Sequence, residues 1–152
     1  MKFIWTSSLT LIAFCIVFLA DLVRSDHKKV ECAGHDISLS QQEIDAMKKC
    51  FDKIGITSLE DMKEDHLPCL AKCIMEDEGL LDEQGKPHKE SIMRDIDTAV
   101  PEKMREKYKA AMEKCIDDHA NDFSPDDELC TSYRPFIMCV LQAVNNICYV
   151  AD

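Results

Sequence analysis

The 152-residue sequence contains little glycine and little basic charge. Its four glycines are too few for the many tight turns of a β-sandwich or barrel. No segment alternates apolar and polar residues as a half-buried strand does. Lysine and arginine number 18 against 29 aspartates and glutamates, a net charge of −11. Nucleic acid would repel such a chain, and so would an anionic lipid surface, so we expect no nucleic-acid partner.

Long apolar runs are also scarce, and the longest stands at the N-terminus. Residues 3–20 follow a short basic start and carry no charge, and small residues come next. This pattern predicts a signal peptide over residues 1–25, cleaved near Ser25/Asp26. The run could also just span a bilayer as an anchor, but hydroxyl residues dilute it and no basic cluster follows at once. With no internal repeat or linker, we predict a single secreted, extracellular domain over residues 26–152.

The chain contains nine cysteines. Cys15 lies inside the predicted signal peptide and would leave with it. The even number that remains in a secreted chain predicts a disulfide framework. Eight cysteines can pair in on the order of a hundred ways, so counting leaves the connectivity open. The eight are Cys32, Cys50, Cys69, Cys73, Cys115, Cys130, Cys139 and Cys148.

Helix signals are dense in the first half of the remaining sequence. Residues 40–43 form a Ser-x-x-Glu capping box before apolar residues at helical spacing, and Gly55 is the stop. Residues 57–60 repeat the capping pattern and predict a short second helix. A third helix is predicted from around residues 66–68, with proline in its first turn, to Gly79.

Three further helices are predicted in the second half. Residues 80–89 are polar and contain Gly85 and Pro87, which indicates a loop, and a modest helix covers residues 88–96. A stronger helix covers residues 101–119 with one apolar face. The last helix is predicted from Ser124-Pro125 to about Ile147, with a kink at Pro135 allowed. The prediction is an all-α, compact domain of five or six helices.

Cys69 and Cys73 stand four residues apart on one face of the third helix, too constrained to bridge each other. Three interpretations follow. They could join Cys115 and His119 as a zinc site, or act as a redox pair. The third interpretation is that two bridges leave one helix for different partners, and a secreted chain favours it.

The cysteine spacing resembles that of the insect odorant-binding and pheromone-binding proteins. The spacings of three and eight residues are the most specific part of the family's six-cysteine pattern, and Tyr133 stands where an aromatic residue is common there. The resemblance covers about residues 37–147, although the gap before Cys69 is short, so we expect a trimmed second helix. The run reads Cys50-x18-Cys69-x3-Cys73-x41-Cys115-x14-Cys130-x8-Cys139.

The resemblance also implies a disulfide pairing. It joins Cys50 with Cys73, Cys69 with Cys130, and Cys115 with Cys139. Cys32 and Cys148 are additional to the family's six. We predict that they pair and tie the N-terminal arm to the C-terminal tail, while rearrangement or a bond between two chains is the alternative.

Resemblance to this family implies a carrier with a helical shell around an apolar cavity, which holds a small hydrophobic ligand. No catalytic residue, cofactor or metal is implied. Methionine suits such a cavity because it adapts to irregular apolar shapes, although a methionine stripe is also typical of plain core. The apolar faces carry Met47, Met75, Met93, Met104, Met112 and Met138. The candidate wall residues are Met47, Phe51, Ile74, Met93, Ile96, Met104, Tyr108, Met112, Tyr133, Phe136, Ile137 and Val140.

The same resemblance suggests partners and a mode of release. Tyr108 and Tyr133 are the hydroxyls that could orient a polar head of the ligand. A chemosensory receptor or a membrane surface is the candidate partner at release, and the carrier would be a monomer or homodimer. Release in acid would make His66 and His119 the candidate sensors, although exposed histidines can titrate without consequence.

Two rival functions remain at this point. Cys32-Ala-Gly-His35-Asp36 is similar to the Cys-x-x-His-Asp motif of secreted phospholipases A2, but the second cysteine and the glycine-rich calcium loop are missing. The other rival is a saposin-like or venom-type helical protein that acts on lipids or a protein partner. Nested bridges would favour that protein, whereas interlocked bridges favour the carrier.

Overall fold

The computed structural model describes residues 30–37, 41–58, 61–124 and 126–149. The predicted signal peptide lies outside these residues. The described chain is all-α, as predicted, with five α-helices. They are α1 (Gln41–Lys53), α2 (Leu67–Asp77), α3 (Lys89–Ala99), α4 (Glu102–Asp118) and α5 (Arg134–Tyr149).

The described part also contains one short β-hairpin, which the sequence patterns did not indicate. Strands β1 (Val30–Cys32) and β2 (His35–Ile37) pair antiparallel. Ala33 and Gly34 between them have φ of 49° and 78°, and such a pair of positive values matches the right-handed twist of the strands. The amide of Ala33 donates to the Cys148 carbonyl oxygen at 3.1 Å, which attaches the hairpin to the end of α5.

The short helix expected from residues 57–60 lies partly outside the described residues, and Asp61, which follows them, is in a 3-10 conformation. Between α1 and α2 the described residues contain a 3-10 helix over Glu64–His66, and residues 59 and 60 lie outside the description. The hydroxyls of Thr57 and Ser58 donate to the Asp61 carboxylate at 3.0 and 2.8 Å. The Asp61 amide also donates to the Ser58 carbonyl oxygen at 3.1 Å, so side chains and backbone hold the same turn. The bond from Ser58 is also the main reason that the pKa of Asp61 is lowered.

The last helix begins later than predicted, at Arg134. Cys130 has φ of 56°, which no α-helix accommodates. The Asp127 carboxylate accepts the amides of Leu129 and Ser132 at 3.1 and 2.7 Å, and these bonds hold the preceding segment as a loop. A 3-10 helix, Thr131–Tyr133, then leads into α5. Pro135 is the second residue of α5, where proline is tolerated, so it causes no kink.

The helices pack around one apolar core. α5 contacts α4, α2 and β1, while α1 packs against α2 and α3 against α4. On α5 the buried side chains recur at helical spacing, and each contributes about 1.5–3 kcal/mol by leaving water. They are Phe136, Ile137, Val140 and Val144. Among the described helices, none combines the length and apolar character needed to cross a lipid bilayer.

Four disulfides fasten these elements together. Cys50–Cys73 joins α1 to α2, and Cys115–Cys139 joins α4 to α5. Cys69–Cys130 joins α2 to the loop before α5, so two bridges leave one face of α2 for different partners. Cys32–Cys148 joins the hairpin to the end of α5. These are the pairs that the resemblance implies, together with the predicted additional pair.

Candidate functional site

The twelve candidate wall residues belong to one apolar cluster. Ten of them are buried, and Phe51 and Met93 are partly buried against the others. They come from all five helices and from the 3-10 helix before α5. Residues distant in sequence are therefore brought to one place at the centre of the molecule.

The cluster also includes residues outside the twelve candidates. Helical spacing also marks Leu70, Ile92 and Val144, because each repeats the buried face of its helix. Leu80 and Phe123 lie in loops without periodicity, so no such signal marks them. Met138, which the sequence placed on an apolar face, is 43% exposed because it lies on the side of α5 away from the apolar cluster.

The Tyr108 hydroxyl lies against the additional disulfide. It is 3.4 Å from Cys148 Sγ and 3.6 Å from Cys32 Sγ. A disulfide sulfur has no proton, so the hydroxyl is the donor to a weak acceptor. Burial raises the pKa of Tyr108 to about 12, and the nearby Tyr149 adds to this shift. The hydroxyl is therefore neutral at physiological pH and holds the hairpin end of the core together.

The Tyr133 hydroxyl is bound to the loop between α2 and α3. It donates to the Gly85 carbonyl oxygen at 2.6 Å, and burial raises the pKa of Tyr133 to about 12. Its ring contacts Phe123 edge to face at 5.3 Å, and the Lys72 ammonium lies 5.4 Å from the ring centre. Because its proton is engaged, Tyr133 positions the 80–88 loop over the core.

The 80–88 loop is further fixed by side-chain hydrogen bonds within it and at its end. The Asp82 carboxylate accepts the amides of Gln84 and Lys86 at 2.8 and 2.9 Å. His88 ends the loop and caps α3, since its Nδ1 accepts the Ser91 amide at 3.3 Å. The apolar face of α3 is thereby held against α4.

His66 and His119 both lie outside the apolar cluster. Nδ1 of His66 accepts the Lys63 amide at 3.1 Å, within the 3-10 helix. Nδ1 of His119 lies 2.7 Å from the Asp122 carboxylate, just after α4. An effect of either histidine on a core ligand would have to pass through α2 or α4.

The surface of the protein carries a pocket of about 470 Å³ that is separate from the apolar cluster's twelve candidate residues. It runs along α2 between the end of α1 and the loop before α5. Its walls combine charged side chains with two disulfides. The lining residues are Lys53, Ile54, Asp65, His66, Cys69, Lys72, Cys73, Glu76, Glu128, Leu129 and Cys130.

The rival chemistries find little support in this geometry. The cysteines of the zinc hypothesis are bonded in disulfides and offer no thiolates, and no cluster of three or more potential ligands occurs in the described part of the chain. The phospholipase-like motif lies in the hairpin, where Cys32 is bonded to Cys148. The bridges Cys50–Cys73 and Cys69–Cys130 interlock, whereas a saposin-like protein would nest them.

Comparison with known proteins gives a family match. The sequence model of the PBP/GOBP family matches residues 23–143. No curated protein and no solved structure matches the chain.

Proposed function

The chain belongs to the PBP/GOBP family, and from this membership we propose that it is a secreted carrier of a small hydrophobic ligand. The ligand class is an odorant, a pheromone or a similar lipophile. The carrier role needs no catalytic residue and no cofactor. Four disulfides suit an oxidising, extracellular fluid, and the net charge of −11 favours solubility there.

The observation that carries this proposal is the single apolar cluster at the centre of the bridged helices. A lipophile that buries about 250 Å² of apolar surface there would gain roughly 6 kcal/mol at about 25 cal/mol per Å². That gain must exceed the cost of moving side chains apart.

Methionine keeps this cost low in the proposed site. Met47, Met104 and Met112 are 8%, 6% and 3% exposed, and they come from two helices, α1 and α4. An unbranched thioether side chain can change rotamer without backbone movement and refill an irregular space. Ligand entry therefore displaces methionine side chains, while the helices stay in place.

The disulfides supply the complementary rigidity. Each stabilises the folded chain by about 2–4 kcal/mol because it constrains the unfolded ensemble. A domain with that reserve tolerates an opened core, which costs several kcal/mol in ordinary packing. Release of the ligand would take place at a chemosensory receptor or a membrane surface.

Displacement of a fluorescent apolar probe by volatile and fatty ligands tests the carrier function. We expect saturable displacement by at least one class of lipophile. The variant Met112→Leu keeps the volume but removes flexibility, and should weaken binding several-fold. Met138→Leu makes the same change at an exposed position of α5 and should leave binding unchanged. Absence of probe binding, or equal effects of the two variants, would contradict the proposal.

A further inference from the structure

The surface pocket along α2 has the size of a ligand site. Its volume of about 470 Å³ lies within the range of roughly 300–1,000 Å³ typical of small-molecule sites. One wall is the face of α2 and the turn before it, from Asp65 to Glu76. The opposite walls are the end of α1, with Lys53, and the loop that contains Glu128. These residues are distinct from the twelve of the proposed carrier site.

Part of the pocket is apolar. Ile54, Leu129 and the disulfide between Cys69 and Cys130 belong to its lining. Leu129 is 76% exposed, the highest value among the large exposed hydrophobic residues of the described chain. An exposed leucine at the rim of a cavity offers contact area to the hydrocarbon part of a ligand.

The charges in the pocket are largely paired with one another. Arg134 donates to Asp65 and Glu64, each at 2.8 Å. Glu76 accepts from Lys53 at 3.1 Å, and Lys72 lies 3.9 Å from its other oxygen. These pairs account for two of the pocket's three carboxylates.

The third carboxylate belongs to Glu128. Within the described residues it has neither a hydrogen bond nor an ion pair, whereas its neighbour Asp127 is engaged by the loop. An anionic ligand would compete with Glu76 for the lysines and would also face Glu128. A cationic ligand meets a carboxylate without a partner in a protein whose net charge is −11.

His66 adds one N–H donor. Because its Nδ1 accepts the Lys63 amide, the ring carries its proton on Nε2. The pocket therefore combines an anionic acceptor, an apolar patch and an imidazole N–H group.

We propose that this pocket is a second binding site, which takes a small organic cation: a primary amine with an apolar body. The ammonium group binds the Glu128 carboxylate, and the apolar body lies against Leu129, Ile54 and the neighbouring disulfide. The site is independent of the carrier function of the core.

Calorimetric titration of the mature protein with 2-phenylethylamine, 2-phenylethanol and phenylacetate tests the charge preference. The three probes share a phenyl ring and differ in the charge of the polar end. We expect the amine to bind at one site and the other two to bind more weakly. Binding of the alcohol or the carboxylate that equals or exceeds that of the amine and persists with the apolar probe bound in the core, or no binding of the amine at millimolar concentration, would overturn the proposal.

A pair of matched variants tests the role of Glu128. Glu128→Gln removes the charge and keeps the shape, and should weaken amine binding about fivefold, the upper range for an exposed ion pair. Asp126→Asn removes the same charge two residues away, outside the pocket lining, and should leave the affinity unchanged. No effect of Glu128→Gln, or an equal effect of both substitutions, refutes the assignment.

A third measurement separates the pocket from the core. The amine titration is repeated with the apolar fluorescent probe bound, and the affinity for the amine should not change. If the amine instead displaces the probe, it occupies the core and the second site does not exist. If no apolar probe binds at all, the carrier function fails, and the two variants still decide the amine site.

Discussion

Removal of the Cys32–Cys148 bridge by a Cys32→Ala/Cys148→Ala double substitution is expected to lower the free energy of unfolding by about 4 kcal/mol. The two residues are 116 positions apart in sequence. The other bridges shorten the path between them, through Cys50–Cys73 and Cys69–Cys130, to about 40 residues, and chain entropy for a loop of that size gives the value of about 4 kcal/mol.

Urea unfolding and calorimetry measure this loss. For the predicted mature domain of about 127 residues, it corresponds to a decrease in Tm of roughly 15 °C. Tyr108→Phe serves as the control, because it removes the hydroxyl next to the same bridge but keeps the bridge itself. The control should cost less than about 1 kcal/mol, since sulfur is a weak acceptor. A loss below about 1 kcal/mol for the double variant, or a loss no larger than that of the control, refutes the reasoning.

Three other predictions concern hydroxyl and carboxylate groups. Tyr133→Phe removes the hydrogen bond to Gly85 and should cost about 1 kcal/mol in urea unfolding, and an unchanged midpoint would show that water replaces it. Burial raises the pKa of Tyr108 and of Tyr133 to about 12, which stabilises the fold below pH 10, so the free energy of unfolding should fall as the pH rises from about 10 to about 12. Ultraviolet absorbance measures the ionisation of the tyrosines over this range. Tyrosines that all titrate near pH 10 in the folded protein would contradict this. Asp127→Ala frees the amides of Leu129 and Ser132, whose hydrogen exchange should accelerate, whereas unchanged protection of both amides would mean that the carboxylate does not hold the loop.

Much of the helical architecture could be predicted because local signals and tertiary packing agree. The capping pattern before α1, the proline in the first turn of α2 and the apolar stripe of α4 each mark an element that the structure contains. The four disulfide pairs also agree, but the resemblance supplied three of them. Spacing alone left the connectivity open.

The errors arose where side chains replace backbone hydrogen bonds. Asp127 fixes a loop where residues 124–127 read as a helix start, and a left-handed Cys130 separates that loop from α5. The hairpin depends on a positive φ at Ala33, and the sequence does not predict this because glycine, not alanine, is the usual residue at such a position.

The candidate sites were predictable to different degrees. Helical periodicity placed the apolar residues together because the apolar faces of the five helices are all buried by packing into one core. The surface pocket was not predictable, since its charge balance depends on Arg134 pairing with Asp65, 69 positions away. No local pattern encodes such a long-range pairing.

The most direct test of the carrier account is an NMR titration of protein labelled with ¹³C at the methionine methyl groups, with a lipophile that displaces the apolar probe. Ligand in the core should shift the methyl signals of Met47, Met104 and Met112, which are buried, and leave that of the exposed Met138 unchanged. Core methyl signals that stay in place while the ligand binds would contradict the account.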